Sequence, residues 1–284
     1  DIVIPDSVTS IGNSAFAGCG KLKSVVLPTG VTDIGEHMFW GCTDLADESG
    51  LVIIHGTLYS CVDDRDSVTI PKDVTHIGDG AFAGCGDLTD ITIPDNVTSI
   101  GRGAFSRCEF LDSITLPDSI TQVGTGLFED TKWFKNQKDI LIYVGKVAYR
   151  YNGNMPANTT IKLREDTVEL KSGVFAGCDN LSSVILPDTI QEIPSKAFLN
   201  CSSLKRIDLP EQITTIDENA FRGCTSLANV ALPKALTFLG RESFYGCTSL
   251  ESISLPDRLK SIEFGTFNFC SSLSKIEIPY AVRY

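Results

Sequence analysis

The stretch LTDITIPDNVTSIGRGAFSRC, residues 88–108, decides the fold. Leu88, Ile91 and Ile93 alternate with Asp90 and Thr92, which reads as a strand with one apolar and one polar face. Pro94 has no N–H to donate to a ladder and stops that strand. Asp95 and Asn96 are turn formers. Val97 and Ile100 return inward along a second short extended stretch, and Gly101 bends the chain. The segment GAFSRC (103–108) reads as a turn or two of helix that sets Phe105 and Cys108, three apart, on one face. Leu111 opens the same pattern again.

Working outward, the pattern recurs with a period of 23 residues. Proline keeps it at Pro5 and Pro28, at Pro71, Pro94 and Pro117, and from Pro187 through Pro210, Pro233 and Pro256 to Pro279. Phenylalanine keeps it from Phe16 to Phe267, and a cysteine follows three residues after nine of the ten phenylalanines. A fixed period of this size means stacked coils, none of which can bury its apolar face alone. Eleven strands are predicted, at 2–4, 25–27, 68–70, 91–93, 114–116, 161–163, 184–186, 207–209, 230–232, 253–255 and 276–278. At a strand spacing of about 4.8 Å they make one parallel sheet roughly 50 Å across. The expectation is an α/β repeat solenoid with that sheet concave and short helices on the convex side.

The rhythm breaks twice, with 43 residues between Phe39 and Phe82 and 47 between Phe128 and Phe175. Both insertions hold apolar strands around a glycine: LVIIHGTLYSC (51–61) and ILIYVGKVAYR (140–150). Each reads as a β-hairpin, near 46–66 and 135–158. The two align at an offset of 89, Gly56 on Gly145 and Leu58 on Val147. Thr131 stands where the other coils have cysteine. The hairpins either cover the edge of the convex layer or project a partner-binding surface.

The repeat overrides a length of 284 residues, which by itself suggests two domains, and predicts one solenoid over 1–284. The chain opens and closes inside a repeat, so it reads as a fragment whose polar caps are missing. A net charge of −12 opposes a nucleic-acid partner or electrostatic docking on anionic membrane. No apolar run approaches the 18 residues of a membrane-spanning helix, and no signal peptide is visible.

No C-x-x-C pair occurs, and His37, His55 and His76 lie in unrelated contexts, so no metal or other cofactor is expected. The column of nine cysteines reads as buried thiols packed on phenylalanine. Cys61, off the column, is expected to be the exposed or reactive one. Acids following proline (Asp6, Asp95, Asp118, Asp188, Glu211, Asp257) supply one carboxylate per coil, too few for calcium. There is no G-x-S-x-G, phosphate loop or H-E-x-x-H, so no enzyme is predicted.

The composite L-x-x-I-x-L-P-x-x-V-T-x-I-G-x-x-A-F-x-x-C resembles the leucine-rich repeats of BspA-like proteins, bacterial surface antigens with protist relatives. Leu88, Ile91, Ile93, Pro94, Val97, Thr98, Ile100, Gly101, Ala104, Phe105 and Cys108 carry the match, which extends over essentially the whole chain. The asparagine ladder of other leucine-rich repeats is missing: its positions hold Gly30, Asn96, Ser119, Thr189, Gln212, Ala235 and Arg258, leaving turn chemistry to proline. The resemblance implies a right-handed superhelix in a secreted or cell-surface protein. It also implies adhesion to an extracellular host or matrix protein, or to another cell-surface protein.

An extended concave face supplies the expected binding positions: Asp90, Thr92, Ser113, Thr115, Ser183, Arg206, Asp208, Asn229, Ser252 and Ser254. The hairpin regions add Tyr59, Trp133, Tyr143, Tyr149 and Tyr151, aromatics of the kind enriched in interfaces. The concave positions carry no Trp or Tyr on which a glycan would stack. The alternative to a binding module is an architectural spacer without a ligand of its own.

Overall fold

In a computed structural model, residues 1–31, 33–62 and 65–282 are described. The chain forms two compact units, 1–137 and 138–284, and in each of them coils stack through two columns of short parallel strands. In the first unit the first column pairs Ile2–Val3 with Val25–Val26, and separately joins Ser67–Thr69, Asp90–Thr92 and Ser113–Thr115. In the second unit it joins Thr159–Lys162, Leu181–Ile185 and Arg206–Asp208, and separately Ser252–Ser254 with Lys275–Glu277. The second column holds two-residue strands ending on the isoleucine or valine before the bend, such as Ser99–Ile100 beside His76–Ile77 and Gln122–Val123.

The expected single long sheet is therefore a series of short ladders. Among the described residues, 230–232 forms no strand. Asn229 and Ala231 are poor strand formers, yet that coil remains tied to its neighbour by the Glu251 amide on the Ala228 carbonyl at 3.2 Å. Proline shapes the turns as expected, its carbonyl accepting the amide three residues on: Val97 on Pro94 and Leu259 on Pro256, both at 3.0 Å.

The convex helices are not formed. The residues two before and two after each phenylalanine are left-handed: Gly103 and Arg107 (φ 59° and 60°) around Phe105, Lys196 and Asn200 (59° and 58°) around Phe198. An α-helix cannot pass through such residues. Alternate amides turn instead toward the next coil: Gly103, Phe105 and Arg107 donate to the carbonyls of Thr125, Leu127 and Glu129 at 2.9, 3.0 and 2.7 Å. The amides of Ser106 and Cys108 close three-residue turns within the coil. Among the described residues the helical segments are the 3-10 turn Thr43–Leu45 and one α-helix, Lys132–Asn136. That helix starts where Thr131 replaces cysteine, because its hydroxyl accepts the Phe134 amide as an N-cap.

Within each unit the phenylalanines stack in runs that are mostly buried, with near-parallel rings 5.2 Å apart at Phe198–Phe221 and Phe221–Phe244. The cysteines have a second task beside packing. The Cys108 thiol donates to the carbonyl of Phe82 at 3.0 Å, and Cys42, Cys201, Cys224, Cys247 and Cys270 make the same bond to the phenylalanine 26 residues earlier. A small apolar group with a weak donor suits that site. Gly101 permits close stacking, since a Cβ there would lie 2.4 Å from the Asp79 amide nitrogen.

The hairpins belong to the stack. Leu51–Ile54 pairs with Thr57–Cys61, and Ile140–Val144 with Val147–Asn152. The second strand of each enters the second column, Leu58 opposite Ile77 and Ala148 opposite Leu170. The structural offset is thus 90, not 89: the left-handed first turn residue is His55 (φ 51°) in one hairpin and Gly145 (φ 58°) in the other. The Cys61 amide bonds the carbonyl of Ala81, and that of Tyr151 the carbonyl of Val174, at 2.8 and 2.7 Å. Phenylalanine amides elsewhere make the same bond, to the residue before the next phenylalanine. Cys61 and Tyr151 therefore occupy the phenylalanine position of their coils, and Cys61 is buried rather than exposed. The exposed cysteine is Cys19.

Candidate functional site

Strand register gathers the expected first-column residues into rows. In the first unit Ser67, Asp90 and Ser113 lie side by side, as do Thr69, Thr92 and Thr115, and all six are exposed. Asp90 and Thr92 also border a depression of about 430 Å³ with Pro71, Lys72 and Pro94. In the second unit Ser183 lies beside Arg206, and Asp208 beside Ile185. The Ser183 hydroxyl meets that of Thr160 at 2.8 Å. Arg206 grips Asp208 through two hydrogen bonds of 3.0 Å.

Ser252 and Ser254 are exposed beside Lys275 and Glu277, which pair with each other at 2.9 Å. That pairing raises the Lys275 pKa and lowers that of Glu277. Asn229 is exposed but lies in the segment that forms no strand. The two units hold separate sets of these residues.

The hairpin-region aromatics are half-buried and engaged within the molecule. Tyr59 sets its ring edge-on to Phe39 at 5.7 Å. Trp133 lies 4.7 Å from Phe128, and its amide donates to the Leu111 carbonyl. Tyr143 lies under the Arg164 guanidinium, and its hydroxyl accepts the Arg164 amide at 3.1 Å. Tyr143 and Tyr151 pack on the core of the second unit, and burial raises the Tyr151 pKa. Tyr149 is half-buried on the same strand.

Two features escape a reading of the sequence by period. One is an outer-face stack in the second unit, Arg222 over Tyr245 (4.2 Å) and Tyr245 against Phe269 (5.2 Å). Its signal was Phe269, at a position that is glycine in coils such as Gly177, Gly223 and Gly246. The other is a groove of about 540 Å³ over the second column of the first unit, lined among others by Tyr59, His76, Asp79, Arg102 and Gln122. It lies where the first hairpin interrupts the stack, so its walls come from coils that the period alone does not juxtapose.

Among the described residues no group of three or more His, Cys, Asp or Glu is placed to hold a metal ion. Nor, among the described residues, is any helix long and apolar enough to cross a membrane.

Among solved structures, the chain is similar to a leucine-rich repeat protein from Bacteroides ovatus ATCC 8483, at 29% identity over 98% of this chain and 72% of that one, with a TM-score of 0.48. It is also similar to a leucine rich cell surface protein from Faecalibacterium prausnitzii A2-165, at 27% identity over 97% and 86% of the two chains, with a TM-score of 0.47. The pneumococcal vaccine antigen PcpA aligns at 20% identity over 99% and 82%, with a TM-score of 0.45. No curated protein matches. The sequence itself matches the BspA type leucine rich repeat region, in 6 copies, over residues 1–48, 52–155, 143–247 and 191–284. With that match spanning nearly the whole chain, this protein belongs to the BspA-type leucine-rich repeat family.

Proposed function

We propose that this chain is a non-enzymatic, adhesin-like binding module of a secreted or cell-surface protein. Its partner is an extracellular host or matrix protein, or another cell-surface protein, and it engages that partner through the exposed rows of the first strand column. The observation that carries this reading is the register of Ser67, Asp90 and Ser113 beside Thr69, Thr92 and Thr115. Short polar side chains repeated at the strand spacing of about 4.8 Å offer a regular hydrogen-bonding surface at little cost in side-chain entropy. Membership of the BspA-type repeat family supports the surface location. To this first-column surface the hairpin aromatics add less than their composition suggests, because they are half-buried against the fold elsewhere.

A pull-down of matrix and host-cell surface proteins tests this, using the whole chain and the variants Asp90→Arg and Arg206→Glu. At least one partner should be recovered by the parent chain and lost by a variant. Retention of every partner by both variants removes the first-column face from the account.

The second reading, an architectural spacer, is favoured by Arg206–Asp208 and Lys275–Glu277, which neutralise their charges within single strands. It expects no partner for the parent chain and a shorter surface display when coils are deleted.

A further inference from the structure

The groove over the second column of the first unit is a product of the first hairpin. The strand Asp33–Ile34 pairs only with Ser10–Ile11 among the described residues, while Leu51–Ile54 closes the edge of the adjoining five-stranded sheet. The second column therefore has a step there, and a groove of about 540 Å³ opens beside it. One bank is apolar, with Ile34 and Met38. The other is the face of the five-stranded sheet.

That face carries Thr57, His76, Ser99 and Gln122 in a single row, brought side by side by strand register. Four strands at their usual spacing make the row about 14 Å long. Its hydroxyls, imidazole and carboxamide each both donate and accept hydrogen bonds. His76 is fixed through Nδ1, 2.7 Å from the Thr75 hydroxyl, which leaves Nε2 to a ligand. At the hairpin end stands the Tyr59 ring, held edge-on by Phe39.

The charge of the groove selects among ligands. Among its described residues the cation is Arg102, already held by Glu36 at 3.3 Å and Asp79 at 4.0 Å, so an anionic ligand finds no unengaged cation among them. An extended peptide draws its affinity from main-chain bonds to an open sheet edge. This groove instead overlies a sheet face, whose backbone groups are used in the ladders between coils. A ligand made of neutral hydroxyls suits a row of amphoteric groups, and its C–H faces suit a fixed aromatic ring.

We infer that this groove is a second binding site, separate from the first-column face, and that it takes a short neutral oligosaccharide laid across Thr57, His76, Ser99 and Gln122 with one sugar against Tyr59.

The test is an array of neutral, acidic and amino oligosaccharides probed with the whole chain, followed by calorimetry with the tightest-binding neutral sugar. Neutral chains of several sugars should bind. His76→Ala and Gln122→Ala should each weaken binding about tenfold, as expected for the loss of one hydrogen bond to the ligand. Far-UV circular dichroism and the unfolding midpoint should stay unchanged, since both side chains are exposed. Asp90→Arg, on the other face, should leave sugar binding intact. No binding by any neutral oligosaccharide overturns the inference, as does neutral binding that both variants retain. Binding restricted to acidic sugars overturns it equally.

Discussion

A phenylalanine inside a run of regular coils is held above and below by another, and the coils of such a run repeat amide and thiol bonds to fixed carbonyls. Phe221, between Phe198 and Phe244, is the clearest case. Phe221→Ala should lower the unfolding free energy by about 3–5 kcal/mol, because the neighbouring rings cannot collapse into the void. Urea denaturation measures this, and a loss below 1 kcal/mol would contradict the stacked core.

The thiols are the residue-scale test of burial. Desolvation pushes the Cys108 thiol up to about 12 and that of Cys178 to about 11. In native protein at neutral pH a thiol reagent should modify Cys19 first, then the half-buried Cys270, and reach the buried thiols only on unfolding. A thiol whose folded pKa lies above its unfolded value near 8.5 binds its proton more tightly in the folded state. Its contribution to stability is complete below about pH 8.5 and falls as pH rises toward the folded values. Stability should therefore decline on the alkaline side as Cys108 and Cys178 approach ionisation. At this scale the core positions were legible, because strict recurrence of one residue type has few explanations other than packing. Cys61 was misplaced because its environment depends on where a hairpin strand docks, which its neighbours in sequence do not encode.

The element that departs furthest from expectation is the segment around each phenylalanine. Gly-x-Phe-x-x-Cys has helical spacing, and spacing alone suggested a helix. The contrary signal was present in the residues that tolerate positive φ: Gly80 and Gly84 around Phe82, Gly173 and Gly177 around Phe175. Two such residues flanking one phenylalanine are a mark of alternating turns, not of a helix interior. Among the described residues, the coil that forms an α-helix has Thr131 as its cap, and this makes a test. Thr131→Ala removes both the cap to Phe134 and the hydroxyl bond to the Phe128 carbonyl, at a cost of about 1–2 kcal/mol. Thr131→Ser should restore most of it, whereas equal losses would mean that the methyl group, not the hydroxyl, matters.

The hairpins were legible as hairpins, since apolar runs about a glycine have few other solutions. Their alignment was not, because Gly56 is the second turn residue and Gly145 the first. Matching glycines slid one hairpin against the other by a residue, a shift that moves every side chain to the opposite face.

For the whole molecule, repetition explains the scaffold and leaves function to what the scaffold exposes. Period, proline and phenylalanine together implied stacked coils, and the family match agrees. The candidate face was half legible: alternation identifies outward residues such as Thr92 and Thr115, but only strand register shows which of them are neighbours. The groove beside Tyr59 was not legible, since it arises where the repeat is interrupted and distant coils meet.

The most direct test of the proposed binding face is a hydrogen-exchange footprint of the whole chain with a partner recovered by pull-down. Peptides covering Ser67–Thr69, Asp90–Thr92 and Ser113–Thr115 should gain protection on binding. Peptides covering the turns around Phe82 and Phe105 should not change. Protection confined to those turns or to the hairpins, with the first-column strands unaffected, would contradict the account.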